Sequence, residues 1–188
     1  MQLPDASLEQ ATLDLLLARG QAGVLGPLAS RGEPTVSPTD LSAVVRAFVA
    51  RCPGETPDPA RLAEVVDRAF GLAAEAWPRA WAKPSRIHTS PGIQALASFL
   101  AAEAWPATEE GEAPAAEPDW SRLARSLQQM HRWVAWSQAD ARRGEPLAAE
   151  FFQELTASPA DEAGAEAVAL KLSRLAGKLR VMARRRNR

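Results

Sequence analysis

The carboxy-terminal stretch SPADEAGAEAVALKLSRLAGKLRVMARRRNR, residues 158–188, carries the clearest structural pattern of the chain. Its apolar residues recur at alternating spacings of three and four, which is the pattern of one helix face packed on another helix. These residues, called the seam below, are Ala165, Val168, Leu172, Leu175, Leu179 and Met182. Because the seam spans only about two to three heptads, we expect this helix to pack on the protein's own body or against the helices just before it.

The same stretch is strongly basic, and no acidic residue follows Glu166. Eight cations lie between residues 171 and 188, either beside the seam or on the solvent side. In order, the eight cations are Lys171, Arg174, Lys178, Arg180, Arg184, Arg185, Arg186 and Arg188. Residues 1–170 hold 14 basic and 23 acidic residues, a net charge of −9. A basic end on an acidic body is typical of a protein that binds a polyanion, and equally of one whose basic end docks on its own acidic surface or on a sister subunit.

Length and composition favour a helical protein with a real core. The 188 residues suffice for one ordinary domain, Ala and Leu dominate, Tyr is absent, and β-branched residues are sparse. The single cysteine, Cys52, excludes an internal disulfide and a cysteine zinc cluster, and it fits a reducing compartment. No apolar run reaches the roughly 18 residues of a membrane span, and the amino terminus has no signal-peptide pattern. We therefore expect a cytoplasmic protein without a membrane segment.

Helix starts can be predicted from the sequence, because a capping side chain precedes a proline at four places. These are Ser37-Pro38, Asp58-Pro59, Ser90-Pro91 and Ser158-Pro159, to which a capping box at Ser7 and Gln10 adds a first helix. The pattern predicts helices over residues 7–19, 38–51, 59–77 and 90–105. It then predicts a helix over 120–143 that Asp119 caps, a short helix around 147–155, and the terminal helix from 159.

The segment PATEEGEAPAAEPD, residues 106–119, separates two groups of predicted helices. It consists mainly of Pro, Ala and Glu and has almost nothing to bury, which is typical of a solvated linker. The sequence therefore predicts an all-α fold with a helical bundle over residues 1–105 and an acidic mobile linker over 106–118. A carboxy-terminal helical unit follows over 119–188 and ends in the long basic helix.

No catalytic or metal-binding pattern stands out. His88 and His131 are the only histidines, and no P-loop, GxSxG or HExxH motif is present. A helix end could lower the pKa of Cys52, but a single cysteine without a nearby histidine is more often a small core residue. The acidic run of Glu109, Glu110, Glu112, Glu117 and Asp119 lacks the spacing and glycine of a calcium loop. We predict that the protein is not an enzyme and holds no metal or cofactor.

Two of the six tryptophans lie in a basic context. Most tryptophans in a helical protein pack in the core or at helix ends, and that is the favoured interpretation here. Trp133 and Trp136, however, can share a helix face and lie beside Arg132, Arg142 and Arg143. An aromatic face rimmed by arginine is also what single-stranded nucleic acid binds, so these five residues join the candidate site.

A further pattern runs through residues 61–105: a helix ending in AEAWPRAW, a polar loop, and then HTSPGIQALASFL. This pattern resembles the helical carboxy-terminal part of DGQHR-domain proteins, a family that includes regulators of DNA phosphorothioation. The DGQHR motif of that family and the α/β domain that carries it do not occur in this sequence. The resemblance therefore implies a DNA-related setting and no catalytic residue.

These observations lead to one prediction of function and one alternative. We predict a non-enzymatic nucleic-acid-binding protein, with DNA favoured over RNA, whose eight terminal cations meet phosphates largely independently of sequence. Arg132, Arg142, Arg143, Trp133 and Trp136 extend that surface. The alternative is an adaptor or small subunit of a multiprotein assembly that uses the amphipathic terminal helix, since a leucine seam flanked by cations also inserts into protein grooves. A protein partner or a second copy of the chain fits both.

Overall fold

The computed structural model describes residues 5–19, 23–25, 36–53, 58–82, 85–107, 115–143, 145–159 and 161–186. Over these ranges the protein has nine α-helices, one 3₁₀ turn and no strand, so the predicted all-α fold is confirmed. The helices are α1 (Asp5–Ala18), α2 (Pro38–Val49), α3 (Pro59–Ala76), α4 (Pro78–Ala82), α5 (Ser90–Ala104), α6 (Trp120–Met130), α7 (Gln138–Ala141), α8 (Pro146–Ala157) and α9 (Glu162–Arg186). The 3₁₀ turn, Arg86–His88, precedes α5.

Two of the predicted helix starts are confirmed in detail, and a third differs by one residue. Ser37 caps α2 and Asp58 caps α3, each with a proline at the first helical position. At α5 the cap is Thr89 rather than Ser90, and its side chain makes no capping hydrogen bond. The Ser90 hydroxyl instead donates to Asp40 Oδ1 at 2.5 Å, because α2 and α5 pack against each other there.

The predicted single helix over 120–143 is wrong, because the chain leaves the helix after Met130. A turn follows in which Val134, Ala135 and Trp136 are buried, and a continuous helix would not place these three neighbours on one buried side. Ser137 then caps α7, with its hydroxyl accepting from Asp140 N and donating to Asp140 Oδ2 at 2.7 Å. Because of this break, Trp136 lies in the core.

The terminal helix begins at Glu162, three residues later than Ser158-Pro159 predicts. The residue before it, Asp161, accepts a hydrogen bond from Gly164 N at 2.9 Å through its side chain. Gly164 lies directly against the Pro159 carbonyl, where a β-carbon would clash. Asp161 therefore takes the capping role, and a glycine at 164 leaves room for the Pro159 carbonyl beside the first turn of α9.

Buried residues from α1 through α9 form one continuous apolar cluster, in which Phe48, Phe70, Phe99 and Trp136 are the largest fully buried side chains. The most extensive helix contact joins α9 to α5, and α6 also packs against α3, α5 and α9. The helices after the acidic segment thus share a core with those before it. The division into two units at residues 106–118 stays a prediction.

Of the acidic linker, residues 108–114 lie outside the described residues. Its end is attached to the body: Glu117 pairs with Arg61 on α3, Pro118 is buried, and Asp119 N donates to Ala104 O at 2.7 Å. The chain therefore enters α6 from a fixed point beside the end of α5. Among the described helices none has both the length and the apolar composition needed to cross a membrane.

Candidate nucleic-acid interface

A buried carboxylate, Glu103 on α5, fixes the position of the basic helix. Its Oε2 accepts hydrogen bonds from Ser126 Oγ at 2.7 Å, from Arg180 Nη1 at 2.6 Å and from Arg122 Nε at 3.3 Å. A charge in the interior costs several kcal/mol unless it is paired and hydrogen-bonded, and both conditions hold here. Glu103 therefore joins α5, α6 and α9 at one point.

Two of the eight terminal cations have acidic partners. Arg180 is held by Glu103 and Ser126, and Lys171 pairs with Glu154 on α8 at the protein surface. That these two cations meet phosphates stays a prediction. Arg174, Lys178 and Arg185 are exposed and make no ion pair with a described residue. The side chains of Arg184, Arg186 and Arg188 lie outside the described part of the chain.

The seam is buried for most of its length, as the spacing predicts. Ala165, Val168 and Leu172 are buried, and Leu175 and Leu179 pack at the edge of the core. Met182, at the end of the seam, is half exposed. The sequence pattern missed Ala169 and Ala176, which are buried against α5 since small residues let two helices approach closely.

The two candidate tryptophans have different surroundings. Trp136 is fully buried and makes T-shaped ring contacts with Trp77 and Phe151. The distances between ring centroids are 5.7 Å to Trp77 and 5.6 Å to Phe151. Trp136 has no exposed face, so its predicted role in base stacking is wrong and the core interpretation is correct. Trp133 is only half buried, and Arg132 beside it is exposed. Only Trp133 of the pair remains a candidate for stacking.

Three depressions adjoin one another on the surface formed by α6, the turn after it and α9. The first, of about 240 Å³, lies between α4 and the turn and has Arg79, Arg132 and Arg143 in its wall. The second, of about 480 Å³, holds Arg132, Trp133 and Gln129. The third, of about 360 Å³, holds Gln129 and the cations Arg122, Arg125 and Arg180. Neighbouring depressions share Arg132 or Gln129, so the three lie side by side on this surface, and together they are called the basic channel below.

Cations outnumber acids in the basic channel. Its acidic residues are Asp119, Asp140 and Glu145. Asp119 caps α6 by accepting from Arg122 N, and Asp140 accepts from the hydroxyl of Ser137, the residue that caps α7. In the described ranges, the side chains of Arg79, Arg125, Arg132 and Arg143 have no carboxylate partner. Unpaired like charges repel one another, and an anion in the channel would relieve that repulsion.

The sequence analysis missed Arg79, Arg122 and Arg125. A signal for two of them was present: residues 122, 125, 129 and 132 are all polar or basic and recur at spacings of three and four. That spacing predicts a polar face on α6, opposite Leu123 and Leu127 in the core. Arg79 carries no such signal, because it reaches the channel only through the packing of α4 beside residues 131–134.

Arg142, the remaining candidate near Trp133, is exposed but is not among the residues that line the channel. Two residues considered for catalysis also lie apart from it. Burial raises the pKa of the Cys52 thiol against the opposing charge of Arg61, so this cysteine is less reactive than an ordinary one. His88 is buried under the ring of Trp81. Within the described ranges, no group of three or more His, Cys, Asp or Glu side chains could hold a metal ion.

No family model matches this chain, and it matches no curated protein and no solved structure. The resemblance of residues 61–105 to DGQHR-domain proteins therefore stays a prediction. The geometry itself defines an all-α protein with a cationic channel on one surface and a basic helix beside it.

Proposed function

We propose that the protein binds nucleic acid without catalysing a reaction and that the basic channel holds the backbone of a single strand. The observation that carries the proposal is the set of four channel arginines that lack a carboxylate partner among the described residues. Proteins that bind single strands without sequence preference combine a positive groove with aromatic side chains for stacking. Trp133 lies in the middle depression and supplies one such ring.

The outer face of α9 supports the same function. Arg174, Lys178 and Arg185 are exposed there, and the basic run to Arg188 continues beyond them. Charges of this kind attract a polyanion and contact phosphates without reading bases. The resemblance of residues 61–105 to DGQHR-domain proteins favours DNA over RNA as the polymer.

The experiment is a titration of labelled single- and double-stranded DNA and RNA, followed by fluorescence anisotropy between about 0.05 and 0.2 M salt. The test variant is Arg125→Gln with Arg132→Gln, which removes two unpaired cations from the channel. The matched control is Arg51→Gln, since Arg51 is exposed after α2 and lines a different groove.

For a single strand, each lost phosphate contact lowers the slope of log K against log salt by about 0.7, so the double variant is expected to lose roughly 1.4 units of slope. The Arg51→Gln variant is expected to bind as the parent does. Absence of binding to every polymer at low salt would overturn the proposal. Equal loss in the control variant would show that the channel has no special role.

A second candidate function, that of an adaptor, is favoured by one observation. Leu170 and Val181 on α9 are 50% and 51% exposed. The seam is packed on α5, so a protein partner would have to bind this outer face instead.

Neutralising Arg184, Arg185 and Arg186 together distinguishes the two functions. The adaptor function predicts loss of a co-purifying protein, whereas the leading proposal predicts weaker nucleic-acid binding at every sequence.

A further inference from the structure

We infer that the first depression of the basic channel, between α4 and the turn after α6, binds a phosphate monoester, and that its occupant is the terminal phosphate of a nucleic-acid strand. The identity of the occupant rests on the proposed function, since the strand would lie in the adjoining depressions. The chemistry of the site rests on its own residues.

Three arginines from separate parts of the chain line this one depression of about 240 Å³. Arg79 comes from α4, Arg132 from the turn after α6 and Arg143 from the turn after α7. None of the three has a carboxylate partner among the described residues. Guanidinium groups present planar pairs of donors that match phosphate oxygens, so converging arginines without partners are suited to a phosphate rather than to a smaller anion.

The charge of the site fits a monoester better than an internal phosphodiester. Asp140 is the one carboxylate among the described lining residues, and its Oδ2 already accepts from Ser137 Oγ at 2.7 Å. Three arginines and one aspartate contribute a net charge of +2. An internal phosphodiester carries one negative charge, whereas a monoester carries about 1.5 to 2 at pH 7. The monoester therefore matches the charge of the site more closely.

The size and the walls of the depression agree with a strand end. Its volume lies below the roughly 300 to 1,000 Å³ of pockets that enclose a drug-sized ligand, so it holds a phosphate and little more than one sugar. Trp77 and Pro78 give it an apolar side against which the sugar can pack. On the other side Arg132 is shared with the second depression, where the next nucleotide would meet Trp133.

The surrounding fold keeps these arginines in place without engaging their side chains. Glu145 N donates to Arg132 O at 3.3 Å, and Arg143 N donates to Asp140 O at 3.1 Å. Beneath them Trp136 is locked in the core. The backbone is thus held at Arg132 and Arg143, while both side chains make no ion pair with a described residue and stay available to a ligand.

The test uses the full chain and single-stranded oligonucleotides of about ten nucleotides, identical in sequence, that carry a phosphate at the 5′ end, at the 3′ end or at neither end. Affinities are compared by anisotropy competition. We expect one phosphorylated form to bind on the order of tenfold more tightly than the form with hydroxyl ends, because new charge-assisted hydrogen bonds form only with it.

Two variants locate the preference. Arg79→Gln and Arg143→Gln are each expected to bring all three oligonucleotides to one affinity, because both residues line the first depression and neither lines the other two. Arg125→Gln, in the third depression, is expected to weaken all three oligonucleotides equally and to keep the preference. Unchanged thermal unfolding of each variant establishes that these exposed substitutions leave the fold intact.

Each outcome decides the inference. Equal affinity for phosphorylated and hydroxyl ends, with binding still dependent on salt, overturns the terminal-phosphate site and leaves the proposed function standing. If no oligonucleotide binds, a nucleoside monophosphate and inorganic phosphate are titrated instead. Saturable binding of either one that Arg79→Gln removes keeps the monoester site and overturns the strand as its source, and no binding overturns both.

Discussion

At the scale of single residues, Asp40 shows how one acidic side chain can serve two helices. Its Oδ2 accepts from Ser37 N at 2.9 Å in the cap of α2, and its Oδ1 accepts from Gln94 Nε2 at 2.9 Å on α5. Burial alone would raise the pKa of this carboxyl, but the hydrogen bonds from Ser90, Ser37 and Gln94 bring it below its ordinary value. The ionised form is therefore the one that the folded protein stabilises.

We predict that Asp40→Asn lowers the free energy of unfolding by about 1–3 kcal/mol at pH 7, because asparagine has one side-chain oxygen that accepts hydrogen bonds where aspartate has two. Since the pKa is lowered on folding, the contribution is complete above the unfolded value of about 3.9 and is lost as the pH falls through the folded value. The difference between parent and variant should thus shrink below about pH 4. Denaturant unfolding at neutral and acidic pH measures it.

The exposed Asp14 provides a matched control for this prediction, since it lies on α1 and, among the described residues, accepts a side-chain hydrogen bond only from Gln10 of its own helix. Asp14→Asn should change stability by less than about 0.5 kcal/mol at any pH. A parent and an Asp40→Asn variant with the same stability at pH 7 and at acidic pH would contradict the role assigned to the carboxylate.

At the scale of elements, α9 is held to the body by an apolar face and by one buried ion pair. Leu172 and Ala176 are buried against α5, and Arg180, one turn further, reaches Glu103. The two contributions differ in kind. Burial of the apolar face supplies most of the free energy of docking, while the carboxylate fixes the register of the helix, because an unpaired charge there would be costly.

We predict that Leu172→Ala lowers the free energy of unfolding by about 2–5 kcal/mol, since it leaves a cavity at a fully buried position. Val181→Ala, on the exposed face of the same helix, should change it by less than about 0.5 kcal/mol. Equilibrium denaturation of the two variants tests this. Similar small effects at both positions would show that α9 is not part of the cooperative core.

The elements also show how far the sequence alone could go. Capping residues before prolines located α2 and α3, and the spacing of the seam identified the buried face of α9. The break after Met130 was missed, although Ser137 with Asp140 is a capping pair, because the apolar spacing of residues 123–134 continues through it. The sequence therefore predicted a helix correctly where the capping residue and the spacing of the apolar residues agreed.

The candidate site was less predictable, for a physical reason. The cations of α9 were visible as a run in the sequence, but their partners Glu103 and Glu154 are distant in sequence, so pairing could not be inferred. Arg79 likewise joins Arg132 only through tertiary packing. Composition predicts that a basic surface exists, whereas the fold decides which cations are free.

At the scale of the whole molecule, the separation of charge matters more than the total. The chain has a net charge of −1, yet residues 171–188 carry eight cations and no acid. At physiological salt a charge acts over about 8 Å, so a strand approaching α9 experiences the basic helix rather than the acidic body. The exposed cations of α9 and those of the channel would then act in sequence, the first attracting the strand and the second holding it.

This division of roles leads to a prediction for the triple variant Arg174→Gln, Lys178→Gln, Arg185→Gln. All three side chains are exposed, so the fold should be unaffected. The slope of log K against log salt should fall by up to about 2 for a single strand, equally at all sequences, and the association rate should fall with it. The preference for a phosphorylated strand end should remain, because the outer face of α9 does not line the first depression.

Salt-dependent anisotropy with phosphorylated and hydroxyl-ended oligonucleotides measures the slope and the preference, and stopped-flow association measures the rate. A triple variant with the parent's slope and rate would mean that the outer face of α9 meets no nucleic acid, and the adaptor function would then account better for its exposed cations and for Leu170 and Val181 beside them.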